Sequence, residues 1–163
     1  MLALVTPGGL INKITRLVLP QMVARKRGKI MLLASLAAFQ PGPGMAVYYA
    51  TTSYVLSFGR AIGHELRGTG VTITTLCPGA TTSEFAQVAN MQGAALFEGP
   101  MPVMTAAEVG SQGYAALKAG RPEIITGLVN KITAMSTRFM PTTILLMIAG
   151  HLNSRGSAGG GNN

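Results

Sequence analysis

The chain has 163 residues, 48% hydrophobic and 11% charged, with a net charge of +8 and no aspartate. That length fits one domain with a sizeable core, and the composition excludes a disordered chain. The single cysteine, Cys77, excludes a disulfide framework and any multi-cysteine metal site, and His64 and His151 have no acidic or cysteine neighbours in sequence to complete a metal centre.

From the N-terminus, Met1 to Val5 is apolar but too short for a signal peptide and lacks a basic lead. No apolar run reaches the roughly 18 residues of a membrane span, so a cytoplasmic protein is expected, with peripheral membrane contact as an option. Residues 10–26 place Leu10, Ile14, Leu17 and Met22 at helical spacing. Pro20 is expected to kink or interrupt this helix and Gly28 to end it. The cluster Arg25-Lys26-Arg27-Gly28-Lys29 reads as a basic helix end followed by a turn. Its other reading is a phosphate or anionic-membrane patch. No aromatic residues interleave with these charges, so nucleic acid is not expected as a partner.

Lys29 to Ala34 is a continuous apolar run after its first residue, the pattern of a buried parallel strand. Phe39 to Gly44 is a loop by composition, residues 47–66 form a helix, and Val71 to Leu76 a second strand stopped by Cys77-Pro78-Gly79. Residues 80–104 are rich in Gly, Pro and Met and are expected to be irregular, a candidate flap. Thr105-Ala106-Ala107-Glu108 matches a capping box that opens a helix running to about Lys118. Glu123 to Thr126 is a short third strand, and helices near 129–138 and 142–151 follow, split by Pro141. The Gly/Ser/Asn-rich tail from Ser154 is expected to be disordered. Alternating helices and strands define an α/β class with a mostly parallel sheet.

Such sheets bind ligands at the carboxyl ends of their strands. Ser35 follows the first strand, Pro78-Gly79 follows the second, and Tyr48 opens the helix between them, so all three can line one cleft. A tyrosine with an ordinary pKa of about 10 is a poor acid or base at neutral pH. A cation four residues further along the helix would stabilise the phenolate. That position holds Thr52, and the next cation on the helix, Arg60, lies about 12 Å along the axis.

The combination resembles the short-chain dehydrogenase/reductase family. The matching residues are Gly28-Lys29-Ile30-Met31-Leu32-Leu33-Ala34-Ser35, then Tyr48-Tyr49-Ala50-Thr51-Thr52, then Cys77-Pro78-Gly79-Ala80-Thr81-Thr82-Ser83. The resemblance implies the catalytic half of a doubly wound, Rossmann-like parallel sheet with flanking helices. It divides the chain into a degenerate segment 1–14, a catalytic half-domain 15–152 and a tail 153–163. It implies NAD or NADP as cofactor and hydride transfer between an alcohol and a carbonyl. Ser35 would position the substrate oxygen and Tyr48 would be the general acid/base. Thr52 stands at the family's lysine position. Pro78, Gly79, Thr81 and Ser83 would lie along the cofactor, with Ala80 passing the nicotinamide amide.

Three family features are absent. Thr52 replaces the lysine; Pro7, Ile11 and Lys13 stand where the glycine-rich phosphate turn is expected; and Pro7 falls at the position of the family asparagine. A strand at 29–34 without its usual neighbours would leave an apolar sheet edge, which Met1 to Val5 or a second chain could cover. The expected partners are a small alcohol or carbonyl compound and a second copy of the chain, through the helix at 47–66. Two other readings stand beside the enzyme. One is a non-catalytic relic or scaffold of the same fold. The other is a basic protein of the membrane surface, built on the apolar and basic helices of residues 128–151.

Overall fold

The computed structural model describes residues 7–82 and 102–154. The first helix, α1, is Pro7–Ala24. It runs through Pro20 without interruption, at an exposed position, where the missing N–H removes one helical hydrogen bond without ending the ladder. Gly28 does not end it. The chain turns at Lys26, whose φ of 53° is left-handed, and Arg27 N–H donates to the Met22 carbonyl at 3.1 Å. Gly70 packs its backbone against this turn: a Cβ there would sit 2.1 Å from the Lys26 carbonyl oxygen, and its own φ is +79°.

Strand β1, Gly28–Leu33, leads into a short 3-10 helix, Leu36–Phe39. Helix α2, Ala46–Glu65, and strand β2, Val71–Cys77, follow. Two residue pairs, β3 (Thr81–Thr82) and β4 (Met104–Thr105), join in a small parallel ladder, Thr81 opposite Met104. The ends of the expected irregular stretch are therefore tied together; its middle, with Ser83, lies outside the described residues, as do Met1 to Val5 and the tail beyond Ser154. Helix α3, Ala106–Lys118, starts at the expected capping box: Thr105 Oγ1 accepts from Glu108 N–H at 3.2 Å, and Glu108 Oε2 accepts from Thr105 N–H at 2.8 Å. Strand β5, Glu123–Ile125, and helices α4, Leu128–Ser136, and α5, Thr142–Asn153, complete the chain.

The main sheet has the order β1-β2-β5, all parallel, with Gly28 opposite Val71 and Thr75 opposite Glu123. Parallel pairing requires a crossover between strands, and α2 and α3 supply the two. β2 is central and buried on both faces; Thr74, Thr75 and Cys77 are fully inaccessible. On one face Leu32, Val55, Leu56, Leu66, Val71 and Ile73 form the core, with Ile11, Leu19 and Met22 of α1 against it. On the other, Leu76, Val109, Ala116 and Ile124 pack with Met31 and Met104. Helices cover both faces, the doubly wound arrangement expected from the alternation of elements.

Candidate active site

At the carboxyl ends of β1 and β2 the two chains leave the sheet together. Ala34 N–H donates to the Leu76 carbonyl at 2.8 Å and Leu36 N–H to the Pro78 carbonyl at 2.7 Å. These bonds put Ser35 beside Pro78-Gly79. Above them lies a cavity of about 530 Å³ whose walls include Ser35, Tyr48, Thr52, Pro78, Gly79, Ala80 and Thr81. The structure thus brings together six of the seven residues singled out by sequence, the seventh being Ser83.

Ser35 caps the 3-10 helix: its Oγ accepts from Ala37 N–H at 3.1 Å. Its hydroxyl lies on the same cleft wall as that of Tyr48 and favours the phenolate. Burial works the other way and is the larger effect, so the Tyr48 pKa lies above its ordinary 10.0, with the neighbouring Tyr49 adding to the rise. The two adjacent tyrosines have different tasks. Their rings meet edge-on at 6.0 Å, but Tyr49 turns inward, is 8% exposed, and its hydroxyl donates to Asn153 Oδ1 at 3.1 Å. Asn153 Nδ2 in turn donates to the Pro43 carbonyl at 2.9 Å, which pins the end of α5 over the loop before α2. The helix extends two residues past its expected end at 151, and Asn153 belongs to the cleft wall.

Thr52 is 7% exposed, and its hydroxyl donates within its own helix, to the Tyr48 and Tyr49 carbonyls, each at 3.1 Å. Among the described residues none that lines the cleft is charged. Arg60 is engaged away from it, bonded to Glu123 Oε2 at 2.8 Å and lying 5.5 Å over the Phe39 ring. On the Pro78-Gly79 side, Thr81 Oγ1 donates to the Gly79 carbonyl at 3.0 Å. Gly79 accommodates the fully buried Asn130 of α4; a Cβ would fall 2.3 Å from Asn130 Nδ2, which donates to the Thr126 carbonyl at 2.7 Å. Sequence reasoning missed Asn130 and Asn153. The only signal for either is an asparagine within an apolar helical run.

A second cavity, of about 640 Å³, lies at the opposite end of the sheet among Arg25, Arg27, Gly28, Lys29, Gly70 and Thr72. Lys29 Nζ there donates to the Leu117 and Lys118 carbonyls, so part of the basic cluster caps the carboxyl end of α3. Among the described residues no cluster of three potential metal ligands exists, and no helix is long and apolar enough to cross a membrane.

A doubly wound sheet with a serine, a tyrosine and a Pro-Gly turn around one cleft is the arrangement of the short-chain dehydrogenase class. The sequence profile of the short chain dehydrogenase family matches residues 9–93, just over half of the chain, and the chain belongs to that family. An uncharacterized oxidoreductase of Myxococcus xanthus is 41% identical over 87 residues, covering 53% of this chain and 31% of that protein. A very-long-chain 3-oxoacyl-CoA reductase of Bos taurus is 33% identical over 78 residues, covering 48% of this chain and 25% of the relative. Among solved structures, a 7beta-hydroxysteroid dehydrogenase superposes with a TM-score of 0.69 at 20% identity, covering 85% of this chain and 54% of the other. A short-chain dehydrogenase from Sphingobium yanoikuyae in complex with NADPH gives 0.65 at 23%, covering 78% and 49%. The structural likeness shows the shared fold. The chain spans about half the length of these structures, and the segment matched in each of these two relatives is a third of that protein or less.

Proposed function

We propose that the cleft binds an alcohol or carbonyl compound beside NAD or NADP and interconverts the two, with Ser35 and Tyr48 holding the substrate oxygen. The observation that carries this reading is that Ser35 and Tyr48 face one cleft together, opposite Pro78-Gly79. The uncharged, largely apolar walls suit a nicotinamide ring, which when bound would supply or accept the hydride. Pro78, Gly79, Ala80 and Thr81 would lie along it, and Ser83 close behind in sequence. Among the described residues the walls carry no cation for a cofactor diphosphate, so these residues fit the nicotinamide end and not the rest of the dinucleotide. Tyr48 as a neutral hydroxyl donates a hydrogen bond to a carbonyl oxygen at neutral pH. With Thr52 in place of a cation the phenolate is not stabilised, so Tyr48 gives up its proton reluctantly and is scarce as a base, and turnover is slow in both directions.

Loss of a phenolate-stabilising charge worth about two pH units corresponds to nearly 3 kcal/mol, about a hundredfold in rate. A second reading, a non-catalytic member that keeps the fold, rests on this same Thr52. A second copy of the chain is proposed to dock on α1 and α2, where Leu17 and Val47 are 74% and 80% exposed. Fluorescence titration with NADH and NADPH separates the first two readings. Binding that Tyr48→Phe leaves intact, with reductase activity that Tyr48→Phe removes, supports the enzyme; no binding at millimolar cofactor leaves the scaffold reading.

A further inference from the structure

The two C-terminal helices have inner faces that serve the cleft and outer faces that serve nothing described so far. On α4, Asn130 and Ala134 are buried and Thr133 lines the cavity, while Leu128, Lys131, Ile132 and Met135 all point outward. These four recur at intervals of one, three and four residues, one stripe of the helix. On α5, Leu145 and Ala149 are buried, and Ile144, Met147, Ile148 and His151 are exposed. Between the helices Phe139 is 87% exposed, beside Arg138. Of the eighteen exposed large hydrophobic residues in the described chain, nine fall between Leu128 and Ile148.

The charges carried by these two helices and the turn between them have one sign. After Glu123 the sequence contains no acidic residue, and Lys131, Arg138, Arg155 and His151 are its ionisable side chains. A surface made for another protein would normally carry a polar rim of both signs. An apolar stripe whose own helices carry only basic side chains matches a bilayer interface, where the apolar face enters the acyl boundary and the cations meet anionic headgroups.

We propose that α4, Phe139 and α5 form a docking surface for an anionic phospholipid bilayer. Phe139, Met135 and Ile132 enter the interface while Lys131 and Arg138 pair with lipid phosphates. The inner wall of the same two helices then holds the cleft at the membrane surface. Docking is independent of nicotinamide binding and of turnover.

Flotation of the full chain with vesicles of phosphatidylcholine and phosphatidylglycerol, against vesicles of phosphatidylcholine alone, tests this. The expected result is recovery with the anionic vesicles only, falling between about 0.05 M and 0.5 M salt as screening shortens the reach of the cations. Lys131→Glu with Arg138→Glu should cut partitioning at least about tenfold. Phe139→Ser with Met135→Ser should do so at both salt concentrations, since these side chains are exposed and their loss leaves the core intact. Leu17→Ser, an exposed apolar change on α1, should leave partitioning unchanged. The proposal is overturned by no flotation, by equal recovery on both vesicles, or by variants that partition like the parent. It is equally overturned if Phe139→Ser converts a dimer to a monomer while the parent ignores vesicles, which would assign the surface to a second copy.

Discussion

At the scale of single residues, the decisive pair is Tyr48 and Thr52. Burial holds the Tyr48 pKa above 10.0, so its neutral form is the one the folded chain prefers. That preference contributes stability fully present below the unfolded pKa near 10, and it is lost as pH rises through the folded value. A lysine at position 52 starts from a buried site on the same wall and would bring a charge to within a few ångströms of the hydroxyl. Thr52→Lys should therefore lower the Tyr48 pKa by about 1–3 pH units. Tyrosinate absorbance followed against pH, with Tyr48→Phe to identify the titrating group, reads this directly; an unmoved titration would mean that the lysine turns away from the cleft. A second residue makes a prediction of opposite flavour. Thr75 is fully buried, and its Oγ1 finds no hydrogen-bond partner among the described residues. Thr75→Val removes an orphaned hydroxyl without changing shape and should stabilise the fold by about 1 kcal/mol, measured by denaturant unfolding. Cys77, inaccessible and with its pKa pushed up to about 12 chiefly by burial, should stay inert to thiol reagents at pH 8 until the chain unfolds.

Elements were legible where one local rule decided them. The capping box at Thr105 located the start of α3 to the residue, because both of its hydrogen bonds are within one turn of sequence. β1 was legible as a continuous apolar run and β2 as a β-branched run closed by Pro78-Gly79. Pro20 misled, because its penalty is set by whether the helix can tolerate one absent bond at an exposed place, and packing of Ile11, Leu19 and Met22 holds the helix together. The β3–β4 ladder was invisible, since its four residues pair across more than twenty positions of chain. The site was legible as Ser35, Tyr48 and Pro78-Gly79 through spacing, whereas Asn130 acts through tertiary contact with Gly79, which no local pattern reports. That contact is testable. Gly79→Ala should cost about 1–3 kcal/mol because the new Cβ falls 2.3 Å from Asn130 Nδ2, and Asn130 is buried with its amide bonded to the Thr126 carbonyl. Gly79→Ala combined with Asn130→Ala should recover part of that loss in a thermal melt, since the clash is then removed.

At the scale of the whole molecule two surfaces among the described residues compete as sites for a second copy, and they predict different behaviour. One is the β1 edge, which pairs only with β2 among the described residues and so leaves its outer N–H and C=O groups to water or to another strand. The other is the helical face, where Leu10, Ile14 and Leu17 recur along α1, and Val47 and Tyr54 are exposed on α2. A two-fold pair through helices buries side chains and closes on itself, so it stops at a dimer. Edge pairing joins two sheets but gives little buried apolar area, because Lys29 and the exposed end of β1 lie along it. The helical face should therefore govern assembly. Light scattering coupled to size exclusion should show a dimer that Leu17→Arg with Tyr54→Arg converts to a monomer, because two like charges facing their symmetry mates in an apolar contact repel as well as lose burial. Retention of the dimer in that variant, and its loss in Leu33→Lys, would instead place the contact at the sheet edge, where a lysine beside the open strand blocks pairing.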